Sequence, residues 1–480
     1  MVARPPTGAV RYVGRHLSTG PAARRIARFA AEAVPPDDVL EAARLHLLDT
    51  LGVALGAAAL RHRPRVEYAA RRLGFGHEAT GIGQAKPLST AGAALLNGML
   101  AHAMEADDTH IGAVMHGSAV VLPAALAAAE RADADGSMLL RAFVVGWEVL
   151  IRVGLAFPGE LLHFGFQATS AAGPFGAAIA AGVIAGLDEN GLTAALGIAG
   201  SQGGGVFEFL AEGSTSKWLH AGWPALAGLV AVDLASAGLT GPETVLDGPR
   251  GFGAAFARRS DGGEAALATA LDDLGHGWRL PEVAVKLYPT CHFVQPFLEC
   301  LEELLAGGMQ PAQVAEVHCF VPPGAAALIC EPEMQMRHPV TPYQAKWSLP
   351  YCLGAMLADG CVTPASFDRA TPDFQALERA ELVKWSLDPA ADFPRCYPGR
   401  LTVHLHDGTR LEAAVTDVRG GKARLLLPKS ILAKFHAYVA PALNEARADK
   451  VIAAVAALGR GGSARALGRE LRDAAGGGPL

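Results

Sequence analysis

The stretch PDDVLEAARLHLLDTLGVALGAA, residues 36–58, carries a clear helical pattern. Proline and aspartate open it, as they often open the first turn of a helix, and apolar residues then recur at helical spacing. Two later stretches repeat the pattern: LSTAGAALLNGMLAHAME (88–105) after a Ser/Thr cap, and DGSMLLRAFVVGWEVLIRVGLAF (135–157). Further helices are predicted at 170–187, 189–201, 217–238 and 263–273. The chain from residue 22 to about residue 260 is thus predicted to be helical, with its many Ala and Gly residues allowing close helix–helix approach.

The pattern changes after residue 280. Residues 315–321 alternate in the manner of a strand, and PGRLTVHLHDGTRLEAAVTD (398–417) predicts a hairpin around Asp407-Gly408. Helices are predicted at 293–305 and 347–359. These signals indicate a smaller α+β domain.

The predicted domain boundaries follow from these patterns. Residues 22–279 and 429–460 are predicted to form one all-helical domain, because the last helical stretch resembles the first and can pack back on it. Residues 280–428 form the α+β domain. Residues 1–21 and the Gly-rich end, 461–480, are predicted to be flexible tails.

Composition excludes several classes of function. The 480 residues include 51% hydrophobic ones and carry a net charge of −6, which gives no basic footprint for nucleic acid. Seven cysteines all lie in the second half without a CxxC pair, so reduced thiols and a cytoplasmic location are expected. Residues 172–187 are the nearest approach to a membrane span, but their Ala and Gly favour a core helix. We therefore expect neither nucleic-acid nor membrane binding.

The densest cluster of polar side chains is HAMEADDTHIGAVMHGS, residues 102–118. If the preceding helix continues, His102, Glu105 and Thr109 share one face. Asp107 and Asp108 would then point elsewhere and cap or position the next loop. On that loop, His116 would face back toward the helix. A metal site, a metal-free acid/base site and a solvated helix end all remain open, although no zinc-type spacing such as HExxH is present.

Four other stretches hold isolated candidates. In GFQATSAAGPFGAA (165–178) a helix start offers free backbone donors to a carboxylate, or is an ordinary cap. Lys217 and His220 lie in an apolar helix, where a lysine either binds substrate or extends to solvent. Lys286 and His292 lie at the predicted domain junction, a common place for small-molecule sites. Tyr351 begins an apolar helix and, alone, is most simply a core residue.

Taken together and in this order, these segments resemble the MmgE/PrpD family. The resemblance runs from about residue 27 to about residue 440. The segments that carry it are LLDTLGVALGA, NGMLAHAMEADDTH, GFQATSAAGPFGAA, KWLHAGWPALAG, GLTGPETVLDGPRGF, VKLYPTC, KWSLPYCLGAMLADG and ILAKF. It implies an all-helical domain built from both chain ends, with the α+β domain inserted as a lid over the site. It also implies a metal-independent and cofactor-independent homodimer that pairs through the helical domain.

The resemblance implies a set of site residues. Catalytic roles are implied for Glu105, His116, Lys217, Lys286, His292 and Tyr351. Thr109 and Gln167 are implied to contact substrate, and we also predict substrate contacts for His102, Asp108 and Thr169. Two positions depart from the family pattern: Glu105 stands where many relatives have Asp, and Gln167 where several have His. Glutamine hydrogen-bonds but does not shuttle protons at neutral pH.

The implied chemistry is proton transfer next to a carboxylate. Lys217 and Lys286 would clamp a di- or tricarboxylate and stabilise enolate-like charge, with His116 as the general base or acid. The first prediction is a hydro-lyase acting on a hydroxy acid of the 2-methylcitrate type. Alternatives are an epimerase of a substituted dicarboxylic amino acid, a decarboxylase of the cis-aconitate type, and a catalytically idle carboxylate-binding protein.

Overall fold

The computed structural model describes residues 20–60, 63–73 and 76–472. Helices dominate this part of the chain and its one extended sheet has four strands, so the predicted mainly α class is confirmed. Except for its last two residues, the tail predicted for 1–21 lies outside the described residues.

The first part of the chain is helical, as predicted. Its α-helices are α1 (Ala22–Glu32), α2 (Asp37–Ala57), α3 (Arg63–Leu73), α4 (Thr90–Ala103), α5 (Ser118–Arg131), α6 (Gly136–Ala156), α7 (Glu160–His163), α8 (Ala168–Ile184), α9 (Glu189–Ala199), α10 (Phe209–Glu212), α11 (Leu219–Ser236), α12 (Phe252–Ala255) and α13 (Glu264–Ala270). Predicted caps form at two starts: Ser89 accepts from the Gly92 amide at 3.0 Å, and Asp135 from the Met138 amide at 2.8 Å.

Helix α8 lies at the centre of this helical part, packed against α5, α6, α9 and α11. Its sequence is mostly Ala and Gly, and all of it but the last residue is buried. A Cβ built on Gly176 would lie 2.9 Å from the Gly146 carbonyl oxygen of α6, so the two helices meet through their glycines. The small residues thus permit the close approach that their abundance predicts.

The second part of the chain mixes helices and strands. Its elements are α14 (Gln295–Ala306), β1 (Val314–Val321), α15 (Pro323–Ile329), α16 (Glu333–Arg337), α17 (Pro342–Ala345), α18 (Leu349–Asp359), α19 (Phe374–Ala380), β2 (Val383–Leu387), β3 (Gly399–Leu405) and β4 (Arg410–Val415). The sheet order is β2-β1-β3-β4, with β1 parallel to β2 and antiparallel to β3. Strands β3 and β4 form the predicted hairpin, in which Gly408 has a φ of +88°.

The chain returns to the helical part at its end, with α20 (Pro428–Val439), α21 (Glu445–Ala456) and α22 (Ala464–Leu471). Helix α20 packs on α2, and α22 packs on α5. The division into one helical domain built from both chain ends and an inserted α+β domain stays a prediction. Whether the α+β part moves as a lid stays a prediction.

The prediction of a flexible tail from residue 461 is wrong for helix α22. Leu467 and Leu471 are buried, and the Leu471 carbonyl accepts from the Gly83 amide at 3.0 Å. Apolar residues at helical spacing hold this segment in place in spite of the glycines on both sides. Residues 473–480 lie outside the described part of the chain.

One helical segment of the described chain, Thr215–Ser236, is long and apolar enough to cross a membrane by length and composition alone. More than half of it is buried inside the protein, where α11 packs against α4 and α8. A core helix of this kind passes the same test.

Candidate active site

The site begins where helix α4 ends. The helix stops at Ala103, and Glu105 adopts the left-handed backbone conformation with a φ of +57°. The condition under which His102, Glu105 and Thr109 share a helical face is therefore not met. A tight turn brings their side chains into one cluster instead.

The Glu105 carboxylate is the centre of this cluster. Its Oε1 accepts from Lys217 Nζ at 3.1 Å and from Tyr343 OH at 2.6 Å, and Lys286 Nζ lies 3.7 Å from Oε2. All of these side chains are buried. Burial alone would raise the pKa of Glu105, but the nearby cations, chiefly Lys217 and Lys286, outweigh it and hold that pKa well below its ordinary value. The carboxylate is therefore ionised.

His102 links this cluster to a second carboxylate. Its Nδ1 lies 2.7 Å from Asp107 Oδ2, and its Nε2 hydrogen-bonds Lys217 Nζ. Because a carboxylate only accepts, His102 carries a proton on Nδ1. The expectation that Asp107 points away from the site is wrong, since the turn after α4 directs it inward. Burial would raise the pKa of Asp107, but His102 and His116 hold it well below its ordinary value.

His116 lies on the loop after the turn, as expected, and faces the same carboxylate, with Nδ1 3.6 Å from Asp107 Oδ2. Nδ1 is also 3.2 Å from the Asp108 carbonyl oxygen and 3.0 Å from Thr109 Oγ1, while the His116 amide donates to Thr169 Oγ1 at 2.9 Å. Since a carbonyl only accepts, Nδ1 holds the proton. In the described chain Nε2 has no hydrogen-bond partner, so it offers a lone pair.

The charge state of His116 follows from its surroundings. Burial lowers its pKa most, Asp107 opposes this, and Lys286 and Lys217 lower it further, so the pKa lies well below the ordinary 6.5. The imidazole is thus neutral at physiological pH in the substrate-free protein.

These side chains surround a cavity of about 40 Å³. It is lined by Glu105, Thr109, Val114, His116, Leu162, Gln167, Ala168, Phe207, Lys217, Lys286, Cys291, His292, Phe293, Trp347 and Tyr397. Such a volume holds one or two water molecules. A polycarboxylate can therefore enter only when some of these walls move apart.

His292 and Gln167 complete the polar lining. Neither ring nitrogen of His292 has a partner in the described structure, and burial, followed by Lys286, lowers its pKa well below the ordinary value. Gln167 caps helix α8, with its Oε1 accepting from the Ser170 amide at 2.8 Å. The helix start predicted to meet a carboxylate thus lies at the cavity, but the Gln167 side chain already occupies one of its free donors.

The structure leaves two predicted residues away from the cavity. Tyr351 is buried in α18 and its hydroxyl accepts from the Asp373 amide at 2.9 Å, because the helix turns this side chain toward α19. Asp108 is fully buried, bonds Ser118 and lies 2.9 Å from His46 Nδ1, so it braces the loop instead. His102 and Thr169 touch site residues and do not line the cavity.

Tyr343, which the sequence analysis missed, contacts Glu105 directly. The segment TPYQAKWSLPY (341–351) contains both tyrosines, each placed after a proline at a helix start. The pattern gives no way to choose between them, since packing alone decides which helix start faces Glu105.

Among the described residues, one group of side-chain atoms lies close enough together to bind a metal ion. His102, Asp107 and His116 each bring one atom within 4.8 Å of the others. In the structure the two ring nitrogens of His102 are engaged by Asp107 and Lys217, so a cation would have to displace the lysine ammonium. This arrangement fits a hydrogen-bonded proton-transfer group better than a metal site.

Comparison with known proteins identifies family models and individual proteins that are similar to this chain. The MmgE/PrpD N-terminal domain model matches residues 23–263, and the MmgE/PrpD C-terminal domain model matches residues 288–459. The chain is 26% identical to the cis-aconitate decarboxylase of Aspergillus terreus over 446 residues, which cover 88% of this chain and 90% of that protein.

Two further relatives match over shorter stretches. The human cis-aconitate decarboxylase is 33% identical over 298 residues, covering 57% of this chain and 56% of that protein. The cis-aconitate decarboxylase-like protein oryM of Aspergillus oryzae is 33% identical over 285 residues, covering 56% of this chain and 58% of that protein. In both cases the matched stretch spans less than two thirds of the relative.

Proposed function

Because this chain belongs to the MmgE/PrpD family, we propose that it is a lyase whose reaction is the decarboxylation of a small unsaturated tricarboxylate of the cis-aconitate type. Its place in the family and relatives named cis-aconitate decarboxylase support an enzyme acting on a carboxylate. The dehydration that the sequence predicts first becomes the alternative.

One feature of the site carries the proposal. Two fully buried lysines, Lys217 and Lys286, share a cavity with the neutral imidazole of His116. Ammonium groups in a dry site stabilise anionic charge far more than they do in water. A substrate with several carboxylates is the matching ligand.

The reaction needs one proton and releases carbon dioxide. The C–C bond to the carboxylate on the methylene carbon breaks, and its electron pair forms a new C=C bond. The electron pair of the original C=C bond moves to the alkene carbon that bears the other terminal carboxylate. Lys217 and Lys286 stabilise the enolate-like charge that develops there. His116 Nε2 then donates a proton to that carbon.

His116 acquires this proton when the substrate binds. In the substrate-free protein burial keeps His116 neutral. Substrate carboxylates placed within about 4–6 Å favour the charged imidazolium and raise its pKa. Binding therefore converts His116 into the acid that the reaction uses.

Dehydration makes a larger demand on the site, because it needs a base for carbon and an acid for the leaving hydroxyl. Gln167 supplies neither at neutral pH, so His292, the other imidazole of the cavity, would have to provide the second group. A single proton donor suffices for decarboxylation.

The proposal is tested by proton NMR of the purified protein in heavy water with cis-aconitate. We expect loss of the vinyl signal, a new terminal methylene pair, deuterium in the product and released carbon dioxide. A parallel sample with 2-methylcitrate tests dehydration. Turnover of 2-methylcitrate with none of cis-aconitate would replace the proposal by the hydro-lyase, and proton exchange of a substituted amino dicarboxylate without net conversion would replace it by an epimerase.

We further propose a cytoplasmic homodimer that pairs through the helical domain, without a metal or an organic cofactor. The oligomeric part is tested by light scattering during size-exclusion chromatography, where a single mass of one chain would contradict it.

A further inference from the structure

Three consecutive backbone carbonyls at the end of helix α4 each accept a hydrogen bond from the Nζ of a buried lysine. Lys346 Nζ donates to the Met104 oxygen at 3.0 Å, and Lys434 Nζ to the Ala106 oxygen at 2.8 Å. Between them, Lys286 Nζ donates to the Glu105 oxygen at 3.2 Å. We call these three lysines the lysine clamp.

The position of the clamp has a physical reason. The last carbonyls of a helix lack intrahelical partners, and cations are favoured at this negative end of the helix dipole. Beyond the helix end, Glu105 has a φ of +57°, a conformation that residues with a Cβ rarely adopt. Such a backbone persists only where its surroundings hold it.

The lysines reach the turn from distant parts of the chain. Lys346 follows α17 and also donates to the Pro289 oxygen at 3.1 Å, in the segment that carries Lys286. Lys434 lies in α20 and pairs with Asp49 of α2 at 2.7 Å. The clamp therefore ties the Glu105 turn to both parts of the protein.

Lys346 is unusual among buried cations. Within the described residues no carboxylate lies within ion-pair distance of its Nζ, which contacts two carbonyls and stands 4.3 Å from the Phe367 ring centroid. Burial lowers the pKa of Lys346 to about 7. What this side chain contributes here is therefore its two hydrogen bonds to backbone carbonyls, without an ion pair among the described residues.

We propose that Lys346 and Lys434 are positioning residues for Glu105. By fixing the carbonyls on both sides of Glu105, they hold its backbone so that the carboxylate stays between Lys217 and Lys286. Neither lysine lines the cavity of the candidate site. The inference rests on the proposed function in one respect, because it takes Glu105 to be part of the catalytic group.

The test compares Lys346→Met with Lys434→Met, the latter also in an Asp49→Asn background so that no buried carboxylate is left charged and unpaired. We expect kcat for cis-aconitate to fall at least tenfold with KM changed less than threefold, since Glu105 is displaced without loss of a substrate contact. Hydrogen exchange of the peptide spanning residues 104–110 should become at least threefold faster. Lys429→Met, an exposed lysine on the same helix as Lys434, is the matched control and should match the wild type in both measurements.

Each outcome decides one point. Folded variants with wild-type kcat, or with lower kcat but unchanged exchange of residues 104–110, overturn the clamp. If the wild type turns over none of the substrates, the proposed function falls, while the exchange measurement still decides whether the two lysines hold the turn. Asp49→Asn alone separates loss of the ion pair from loss of the contact to Ala106.

Discussion

At the residue scale, Glu105 shows how a buried carboxylate stays charged. Its side chain is 1% exposed, yet Lys217 and Tyr343 hydrogen-bond Oε1, and Lys286 Nζ lies 3.7 Å from Oε2. The Glu105 backbone has turned away from helix α4, with a φ of +57°.

His116 is the residue whose loss we expect to affect turnover most. Replacing it with glutamine keeps a hydrogen-bonding side chain and removes the titratable nitrogen, so kcat should fall about 10²–10⁴-fold. The measurement is steady-state turnover of cis-aconitate. His77→Gln, at an exposed histidine, is the control and should leave kcat unchanged.

The pH dependence of kcat/KM shows whether His116 acts as an acid, as decarboxylation requires, or as a base, as dehydration would require. Its pKa in the free protein lies well below 6.5, so the imidazole must take up a proton for decarboxylation. We therefore expect kcat/KM to rise about tenfold per unit as pH falls from 8.5 to 7. A base acting in a dehydration would already be in its active form there, and a flat profile would contradict the acid role.

Removal of metal ions should not change turnover. Asp107 and Lys217 engage the two ring nitrogens of His102, so a divalent cation would have to displace the Lys217 side chain. We expect dialysis against EDTA to leave kcat within about twofold, the ordinary spread of such assays. Activity lost on dialysis and restored by one added divalent cation would show that the prediction is wrong.

At the element scale, the crossing of α4 and α11 sets the distance between His102 and Lys217. Gly98 of α4 faces Gly222 of α11, and a Cβ on Gly98 would lie 2.8 Å from the Gly222 Cα. The crossing has no space for a methyl group. Because Lys217 lies in the short turn just before α11, any shift of that helix moves its ammonium.

Gly98→Ala therefore tests this crossing. Overpacking should lower the free energy of unfolding by about 1–3 kcal/mol and reduce kcat through the displaced Lys217. Urea unfolding and turnover measure the two effects. Gly204→Ala, where a Cβ meets nothing within 4 Å, should change neither quantity. An equal loss in both variants would refute the role of the crossing.

Element boundaries near the site were harder to predict than element types. The sequence predicts a helix over 217–238, whereas residues 215–218 form a 3₁₀ turn and α11 begins at Leu219. Similarly, α4 ends before Glu105 although the sequence places no glycine there. Both boundaries depend on contacts with distant residues, which a local pattern does not contain.

At the scale of the whole molecule, distant segments of the chain pack together, as Lys286, Lys346 and Lys434 do around residues 104–106. Helix α22 is part of this arrangement, since it packs on α5 and buries Leu467 and Leu471. The Glu130 carboxylate of α5 lies nearby and accepts from the Thr80 amide at 2.6 Å. Helix α22 therefore takes part in the core.

Deletion of residues 461–480 should accordingly destabilise the protein. Burial of a leucine contributes about 1.5–3 kcal/mol, so losing two removes about 3–6 kcal/mol of a total near 5–15 kcal/mol. Thermal unfolding measures the change. Deletion of 473–480, which keeps α22, is the comparison. Similar melting temperatures for the long deletion and the full chain would contradict the contribution of α22.

The amino-acid sequence by itself determined the mainly α class, the change to mixed structure after residue 280, the family and seven of the fifteen residues that line the cavity. It could do so because helical periodicity, turn chemistry and ordered motifs are local properties of the chain. Tertiary structure alone decided that Tyr343 and not Tyr351 meets Glu105, that Asp107 turns inward, and that Lys346 and Lys434 hold the turn. The physical reason is that these contacts join residues far apart in the chain, and whether a buried charge is satisfied depends on which of them packing brings within hydrogen-bond distance.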